Sequence, residues 1–78
     1  MKGIGAIIVT YNSEAEIGPC LDAARTRVER VVVVDNASPD GTVREAGKRP
    51  DVQIIANREN RGFAAAANQG MEALETPF

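Results

Sequence analysis

Two uninterrupted apolar runs, each closed by polar side chains, dominate the hydrophobic pattern of the chain. The first run ends in Thr10, and the second, which contains four consecutive valines, ends in Asp35. Continuous rather than alternating apolar runs are typical of parallel strands buried on both faces. The pattern therefore predicts strands over about residues 4–10 and 30–35, and a similar run predicts a third strand over residues 52–56.

Apolar residues at three- and four-residue spacing predict helices between and after these strands. The first helix carries such a stripe, formed by Ile17, Leu21, Ala24 and Val28. A short second helix, capped by Asp40, is predicted to end near Gly47. A last helix is predicted over about residues 62–74, with one apolar face formed by Phe63, Ala67, Met71 and Leu74. The order β-α-β-α-β-α implies an α/β fold with a parallel sheet and right-handed crossovers.

The start of the first helix is open to two interpretations. Ser13 and Glu16 have the spacing of a capping box. Alternatively, Pro19 occupies the first helical position, where its missing N–H costs nothing. Because a proline inside a helix removes a backbone hydrogen bond, we expect an irregular first turn. Cys20, on the same helix, is expected to be a small buried hydrophobic residue.

Polar residues at the carboxyl ends of the first two strands are expected to surround one crevice. Open α/β sheets bind ligands at this edge, and the residues concerned are Thr10, Tyr11, Asn12, Asp35 and Asn36. The hydroxyl, aromatic and amide groups that follow the first strand suit a flat polar ring such as a nucleobase. Alternatively, Tyr11 packs at the sheet edge, and Asn12 or Ser13 caps the first helix.

Asp35 is interpreted as an acceptor of N–H groups from such a base. The alternative is that it accepts backbone N–H groups of the following turn, as aspartate often does. In that turn, Asn36, Ser38 and Asp40 are expected to shape the loop. An unpaired buried carboxylate is costly, so either interpretation requires donors close to Asp35.

The loop before the last helix contains two arginines. A helix N-terminus favours anions, and a nearby arginine strengthens phosphate binding, which makes Arg61 a candidate contact. Arg58 is interpreted as part of a solvated charged loop. Asn68, in an alanine-rich stretch, is expected to form a hydrogen bond to a neighbouring loop.

Composition excludes several classes of function. The 78 residues carry a net charge of −2 with scattered basic residues, which argues against a nucleic-acid-binding surface. No histidine is present, and the single cysteine excludes an internal disulfide and fits a reducing cytoplasm. The apolar start of the chain is too short to span a membrane. Dinucleotide, Walker and nucleophile-elbow motifs are absent, which argues against dehydrogenases, P-loop enzymes and α/β-hydrolases.

Three blocks of sequence, in this order, resemble the amino-terminal half of family 2 glycosyltransferases. They are Ile-Val-Thr-Tyr-Asn at residues 8–12, Val-Val-Asp-Asn-Ala-Ser-Pro-Asp-Gly-Thr at 33–42, and the stretch at 57–70. The last block contains the Asn-x-Gly-Phe-Ala segment that is similar to the rhamnosyltransferase-like branch. Together the blocks cover nearly the whole chain.

The resemblance implies a partial GT-A fold, which is a three-layer Rossmann-like arrangement that binds a nucleotide-diphosphate sugar. It implies that Thr10, Tyr11 and Asp35 contact the base, and that Arg61 and Gly62 lie near the nucleotide. The full set of candidate nucleotide-binding residues is Thr10, Tyr11, Asn12, Asp35, Asn36, Ser38, Arg61 and Gly62. The family usually transfers sugar with inversion, to acceptors such as a glycan, a lipid or a cell-surface polysaccharide.

The resemblance also implies a divalent cation, Mg²⁺ or Mn²⁺, held by an Asp-x-Asp motif that follows the next strand. This motif is absent from the sequence, so residues 1–78 are expected to be the front segment of a glycosyltransferase domain and inactive alone. Without those carboxylates, diphosphate binding is expected to be weak. No metal ligand or catalytic residue is assigned within the chain.

Two alternative functions and one mode of self-association are also predicted. A small non-catalytic α/β module would use the loop at 35–42 for a protein partner. A nucleotidyltransferase is disfavoured because a glycine-rich loop after the first strand is absent. In the fold that the resemblance implies, the first strand is central and pairs with a strand absent from these 78 residues, so its exposed edge and apolar surface predict a homodimer or higher oligomer joined there.

Overall fold

A computed structural model describes residues 4–75 and contains three strands alternating with three helices. The strands are β1 (Gly5–Thr10), β2 (Arg30–Asp35) and β3 (Val52–Ala56). The helices are α1 (Glu14–Arg25), α2 (Thr42–Ala46) and α3 (Phe63–Glu75). The predicted strands and their order are confirmed, with boundaries within one residue of those expected.

The strands form one parallel sheet in the order β1-β2-β3. The central strand is the most deeply buried, since Val32, Val33 and Val34 have no exposed surface. The register pairs Thr10 of β1 with Asp35 of β2, and Asp35 with Ala56 of β3. All three strands therefore end at the same edge of the sheet.

Helices cover both faces of the sheet, so the predicted three-layer α/β arrangement is confirmed. On one face, α1 and α2 form a core with alternate residues of the sheet, which consists of Ile17, Leu21, Val31, Val33, Ala46 and Val52. On the other face, α3 packs through Ala66 against Val32 and Val34. The four-valine run contributes to both cores because successive side chains of a strand point to opposite faces.

The apolar face predicted for α3 was wrong for Phe63 and Met71, whereas Leu74 packs against the core as predicted. Phe63 is 74% exposed and Met71 is 54% exposed, whereas Ala66 and Gly70 face the sheet. The helix lies so close to β1 that a Cβ built on Gly70 would lie 3.1 Å from Cγ1 of Ile7. Small residues therefore occupy the contact, which a pattern of large apolar residues does not reveal.

The start of α1 lies where the capping-box alternative places it, but without the side-chain hydrogen bond of a capping box, and Pro19 is not at the first helical position. The helix runs from Glu14 through Pro19 without the irregular first turn that we expected, and the Ile17 N–H donates to the Ser13 carbonyl oxygen at 2.8 Å. Ser13 occupies the N-cap position, but its hydroxyl donates to the Tyr11 carbonyl oxygen instead of capping the helix. Cys20 is exposed, so its predicted burial was wrong.

Ion pairs join the outer surface of α1 to α2 and to the start of β3. Arg49 contacts Asp22 at 3.0 Å and Glu45 at 3.3 Å, and Arg25 contacts Asp51 at 2.8 Å. The hydrogen bond from Arg49 holds the pKa of Asp22 below its ordinary value, and the hydrogen bond from Arg25 does the same for the pKa of Asp51. This cluster stabilises the face remote from α3.

Within residues 4–75, no helix combines the length and the hydropathy that a membrane crossing requires.

Candidate functional site

A buried hydrogen bond between two strand ends lies at the centre of the candidate site. Thr10 is 2% exposed and Asp35 is 1% exposed, and the Thr10 hydroxyl donates to Oδ1 of Asp35 at 2.6 Å. The strand register places the two residues side by side at the ends of β1 and β2. The sequence-based prediction that these two polar residues meet at one edge is confirmed.

Ser38 completes the set of donors around the carboxylate. Its backbone N–H donates to Oδ2 of Asp35 at 2.8 Å, and its hydroxyl donates to Oδ1 at 2.6 Å. Asp35 therefore accepts a backbone N–H of the following turn, as the alternative to a base contact predicts. The charge is compensated by three donors, as a buried carboxylate requires.

The loops after β1 and β2 are linked through the same serine. The backbone N–H of Asn12 donates to the Ser38 hydroxyl oxygen at 2.9 Å. Both loops contain a non-glycine residue in the left-handed region, with φ of 53° at Asn12 and 63° at Ala37. Such strain persists only where surrounding contacts enforce it. Tyr11, which follows the buried Thr10 in the chain, is 52% exposed.

The N-termini of α1 and α2 cap each other beside these loops. Oδ2 of Asp40 accepts the Glu14 N–H at 3.3 Å, and Oε1 of Glu14 accepts the Gly41 N–H at 2.9 Å. Asp40 also accepts the backbone N–H and the hydroxyl of Thr42, and the hydroxyl contact is the main cause that lowers the pKa of Asp40. Gly41 is the N-cap residue of α2, and Asp40 directly precedes it. Asp40 thus caps α2 and also caps α1.

A network of amide side chains holds the loop before α3. Oδ1 of Asn36 accepts the Arg61 N–H at 3.3 Å and an N–H of Asn57 at 3.1 Å, while its Nδ2 donates to the Gly62 carbonyl oxygen at 3.2 Å. Gln69 of α3 then pairs with Asn57. The Asn36 side chain was predicted to shape the loop after β2, but it holds the loop before α3 and brings Arg61 and Gly62 to the same edge as Asp35.

Two residues of this network, Asn57 and Gln69, were missed by the sequence analysis. The available signal was the position of Asn57, directly after β3, where a polar residue lies at the ligand-binding edge of a parallel sheet. Asn68 was expected to form the contact to a neighbouring loop. Asn68 is exposed, and the adjacent, half-buried Gln69 makes that contact through Asn57.

The side chains of Arg58 and Arg61 are exposed at this edge, and Gly62 has a φ of 81° that favours glycine. The Gly62 N–H donates to Oδ1 of Asn60 at 2.8 Å, which forms a tight turn into α3. The edge therefore presents two cations and the N-terminus of a 13-residue helix on the α3 side. This arrangement favours anionic groups.

The carboxylates at this edge do not fit a divalent cation. Asp35, Asp40 and Glu14 all accept N–H or O–H groups of the protein. Among residues 4–75, no group of three or more acidic, histidine or cysteine side chains is arranged to hold a metal ion. We therefore assign no metal-dependent step to these residues.

Comparison with known proteins gives a match to one protein family and similarity to individual proteins. Residues 6–78 match the profile of Glycosyl transferase family 2. The chain is 33% identical over 86 aligned positions to "Teichoic acid poly(glycerol phosphate) polymerase" of Staphylococcus epidermidis, covering 100% of this chain and 12% of that protein. It is 33% identical over 79 positions to "Glycosyltransferase AglE" of Haloferax volcanii, covering 88% of this chain and 26% of that protein.

A shorter match, 42% identical over 43 positions, relates the chain to "Uncharacterized glycosyltransferase RT0209" of Rickettsia typhi, covering 55% of this chain and 15% of that protein. The chain thus spans between 12% and 26% of the lengths of these three relatives. The family profile, in contrast, covers the chain from β1 to its last residue. With its parallel sheet and polar strand ends, this chain belongs to glycosyl transferase family 2.

Proposed function

We propose that the chain is the nucleotide-diphosphate-sugar-binding part of an inverting glycosyltransferase, and that Thr10, Tyr11 and Asp35 recognise the base. The observation that carries this proposal is the Thr10–Asp35 hydrogen bond of 2.6 Å at the joined ends of β1 and β2, which is followed in the chain by the exposed Tyr11. An aromatic ring next to a hydrogen-bonding group is a common arrangement for holding a flat heterocycle.

The hydrogen bonds that Asp35 already accepts indicate how it would recognise a base. A carboxylate has about four acceptor positions, and three are used here, two on Oδ1 and one on Oδ2. The remaining position on Oδ2 suits one donor, such as the ring N–H of uracil, thymine or guanine. Because Asp35 is 1% exposed, the base must displace part of the loop that carries Ser38 to reach it.

The remaining candidate residues are assigned by their position at the same edge. Asn12, Asn36 and Ser38 shape the walls of the crevice through the contacts described above. Arg61 and Gly62, at the start of α3, are placed towards the diphosphate because cations and a helix N-terminus favour phosphate. We propose that the family's Mg²⁺ or Mn²⁺ and the catalytic base are supplied by residues other than these 78, so that the chain alone transfers no sugar.

We also propose an acceptor class and a branch of the family. One relative is named a teichoic acid polymerase, which supports a cell-surface polymer as the acceptor class. The rhamnosyltransferase-like branch rests on the Asn-x-Gly-Phe-Ala segment at residues 60–64. A cytoplasmic location stays a prediction from the lone cysteine.

An NMR titration of isotope-labelled protein tests the proposal. UDP, dTDP and GDP are added separately, with and without Mg²⁺, and the amide resonances of residues 4–75 are followed. We expect saturable shifts at Tyr11, Asn12 and Ser38 for one base in preference to the others. A folded chain that shows no saturable shift with any of the three nucleotides would contradict nucleotide recognition and favour a non-catalytic binding module.

A modified nucleotide tests the direct contact with Asp35. If Oδ2 accepts the ring N–H of uracil, UDP methylated at N3 should bind at least tenfold more weakly than UDP, since about 1.4 kcal/mol corresponds to tenfold. The variant Asp35→Asn should weaken UDP binding, whereas Asn68→Ala, an exposed change on α3, should not. Equal binding of UDP and its N3-methyl derivative would exclude a direct contact between Asp35 and the base, and the role of Asp35 would then be to accept hydrogen bonds from Thr10 and Ser38.

We further propose that the chain associates through the outer edge of β1. In the described part of the chain, β1 pairs only with β2, and its residues from Ala6 to Val9 are half-buried. The strand carries no charge or proline that would discourage pairing. A lysine in place of Ile8 should reduce the association constant measured by light scattering, and a monodisperse monomer across a wide concentration range would contradict this proposal.

A further inference from the structure

Asn57 and Gln69 form a reciprocal pair of amides outside the residues assigned to nucleotide contact. Nδ2 of Asn57 donates to Oε1 of Gln69 at 2.8 Å, and Nε2 of Gln69 donates to Oδ1 of Asn57 at 2.9 Å. Both side chains are half-buried. Such a two-way pair fixes the orientation of both amides, because rotating either one by half a turn would bring like groups together.

The pair is connected to the strand ends through Asn36. Nδ2 of Asn57 also donates to Oδ1 of Asn36 at 3.1 Å, and the Asn57 backbone N–H donates to the Asp35 carbonyl oxygen at 2.9 Å. Asn36 is 3% exposed, and its own backbone N–H donates to the Thr10 carbonyl oxygen at 2.9 Å. One amide network therefore links the ends of β1, β2 and β3.

The same network ends at the loop that leads into α3. Oδ1 of Asn36 accepts the Arg61 N–H, and Nδ2 of Asn36 donates to the Gly62 carbonyl oxygen. That carbonyl oxygen also accepts the Ala66 N–H at 3.3 Å, which closes the first turn of α3. The position of the helix start relative to Asp35 is thus determined by three amide side chains.

We infer that Gln69 and Asn57 are positioning residues that set the distance between the base end and the phosphate end of the site. The inference rests on the proposed function for its ligand, and on the network alone for its geometry. Neither residue is placed against the nucleotide. They act through Asn36, which holds Arg61 and Gly62 at the edge where Asp35 and Thr10 lie.

The variant Gln69→Ala isolates this role. It removes both hydrogen bonds of the pair and leaves the Asn57 amide held only by its hydrogen bond to Asn36, so the orientation of Asn36 is less firmly fixed. We expect faster hydrogen exchange at the Arg61 amide, eight residues away along the chain. The control is Asn68→Ala, the neighbouring exposed position of the same helix. Unchanged resonances of the β2 valines would show that the variant is folded.

Binding provides the second measurement. Uridine probes the base end alone, whereas UDP probes both ends. We expect Gln69→Ala to weaken UDP about fivefold or more, as for a lost hydrogen bond, and uridine less than twofold. In Gln69→Glu, the acceptor for Nδ2 of Asn57 is retained and the donor is lost, so this variant should show an intermediate effect on both measurements.

The outcomes separate the inference from the proposed function. Unchanged exchange at Arg61 in Gln69→Ala would overturn the inference, whether or not the chain binds nucleotide. An equal loss of UDP and uridine affinity would also overturn it, because the residue would then act on stability alone. If the unmodified chain binds neither ligand while Arg61 exchange still responds to Gln69→Ala, the positioning of the loop stands and nucleotide binding fails.

Discussion

The substitution Thr10→Val tests the buried Thr10–Asp35 contact by replacing a hydroxyl with a methyl group of similar shape. The hydroxyl donates to a carboxylate that is 1% exposed, and the substitution leaves that carboxylate with only the two donors of Ser38. A hydrogen bond to a charged group contributes about 1.5–3 kcal/mol. The added methyl group offsets about 0.8 kcal/mol of this by its burial. The expected net loss is therefore about 1–2 kcal/mol.

Urea denaturation measures this loss. For a chain of this size the slope is about 1 kcal/mol per molar urea, so the midpoint should fall by about 1–2 M. The matched control is Thr26→Val, since the hydroxyl of Thr26 is exposed and donates to the neutral Ala23 carbonyl oxygen. That change should cost less than about 0.5 kcal/mol. In an Asp35→Asn background the cost of Thr10→Val should shrink, because the acceptor is no longer charged.

Two results would refute this reasoning. If Thr10→Val and Thr26→Val shift the midpoint equally, the buried hydroxyl contributes no more than an exposed one. If the cost of Thr10→Val is unchanged by Asp35→Asn, the effect arises from packing and not from the hydrogen bond to the carboxylate.

Three further predictions follow from packing, backbone conformation and charge. Gly70→Ala should destabilise by about 1 kcal/mol or more despite alanine's higher helix propensity, because its Cβ would collide with Ile7, and Ile7→Ala should relieve this cost in urea melts. Ala37→Gly should raise the free energy of unfolding by up to about 1 kcal/mol, since φ is 63° at Ala37, and a lower urea midpoint would contradict the assigned backbone. The pKa of Asp22 is lowered by its hydrogen bond to Arg49, so its contribution is present above an ordinary value of 3.8 and is lost as the pH falls through the folded-state pKa. Arg49→Ala should therefore make the loss of stability on acidification shallower, and an unchanged profile would exclude the ion pair as its source.

The sheet and its polar edge could be predicted from the sequence because they depend on local patterns. Four consecutive valines fit a strand buried on both faces, and the polar residues that follow them must lie where parallel strands end. The meeting of Thr10 with Asp35 follows from the strand register, because each residue ends its strand and the register pairs the two.

The parts that could not be predicted depend on how elements approach each other. The orientation of α3 is set by Gly70 and Ala66, whose small size allows close contact with β1 but contributes little to a hydrophobic pattern. The hydrogen bonds between Asn57 and Gln69 span a loop, and the residue types alone do not indicate which side chains will pair. The mutual capping through Asp40 and Glu14 likewise joins residues 26 positions apart.

Because Asp40 accepts the Glu14 N–H and Glu14 accepts the Gly41 N–H, each helix start has one backbone donor that is satisfied only after α1 and α2 have docked. Loosening the segment that carries Ser38 would release Asp40 from the Glu14 N–H and fray the first turn of α1 at the same time. The crevice loops and the helix ends therefore form one cooperative unit of local unfolding rather than independent flexible loops. A ligand that displaces Ser38 must therefore disrupt the contacts of that whole unit. Ligand binding in the crevice is thus coupled to the order of both helix starts.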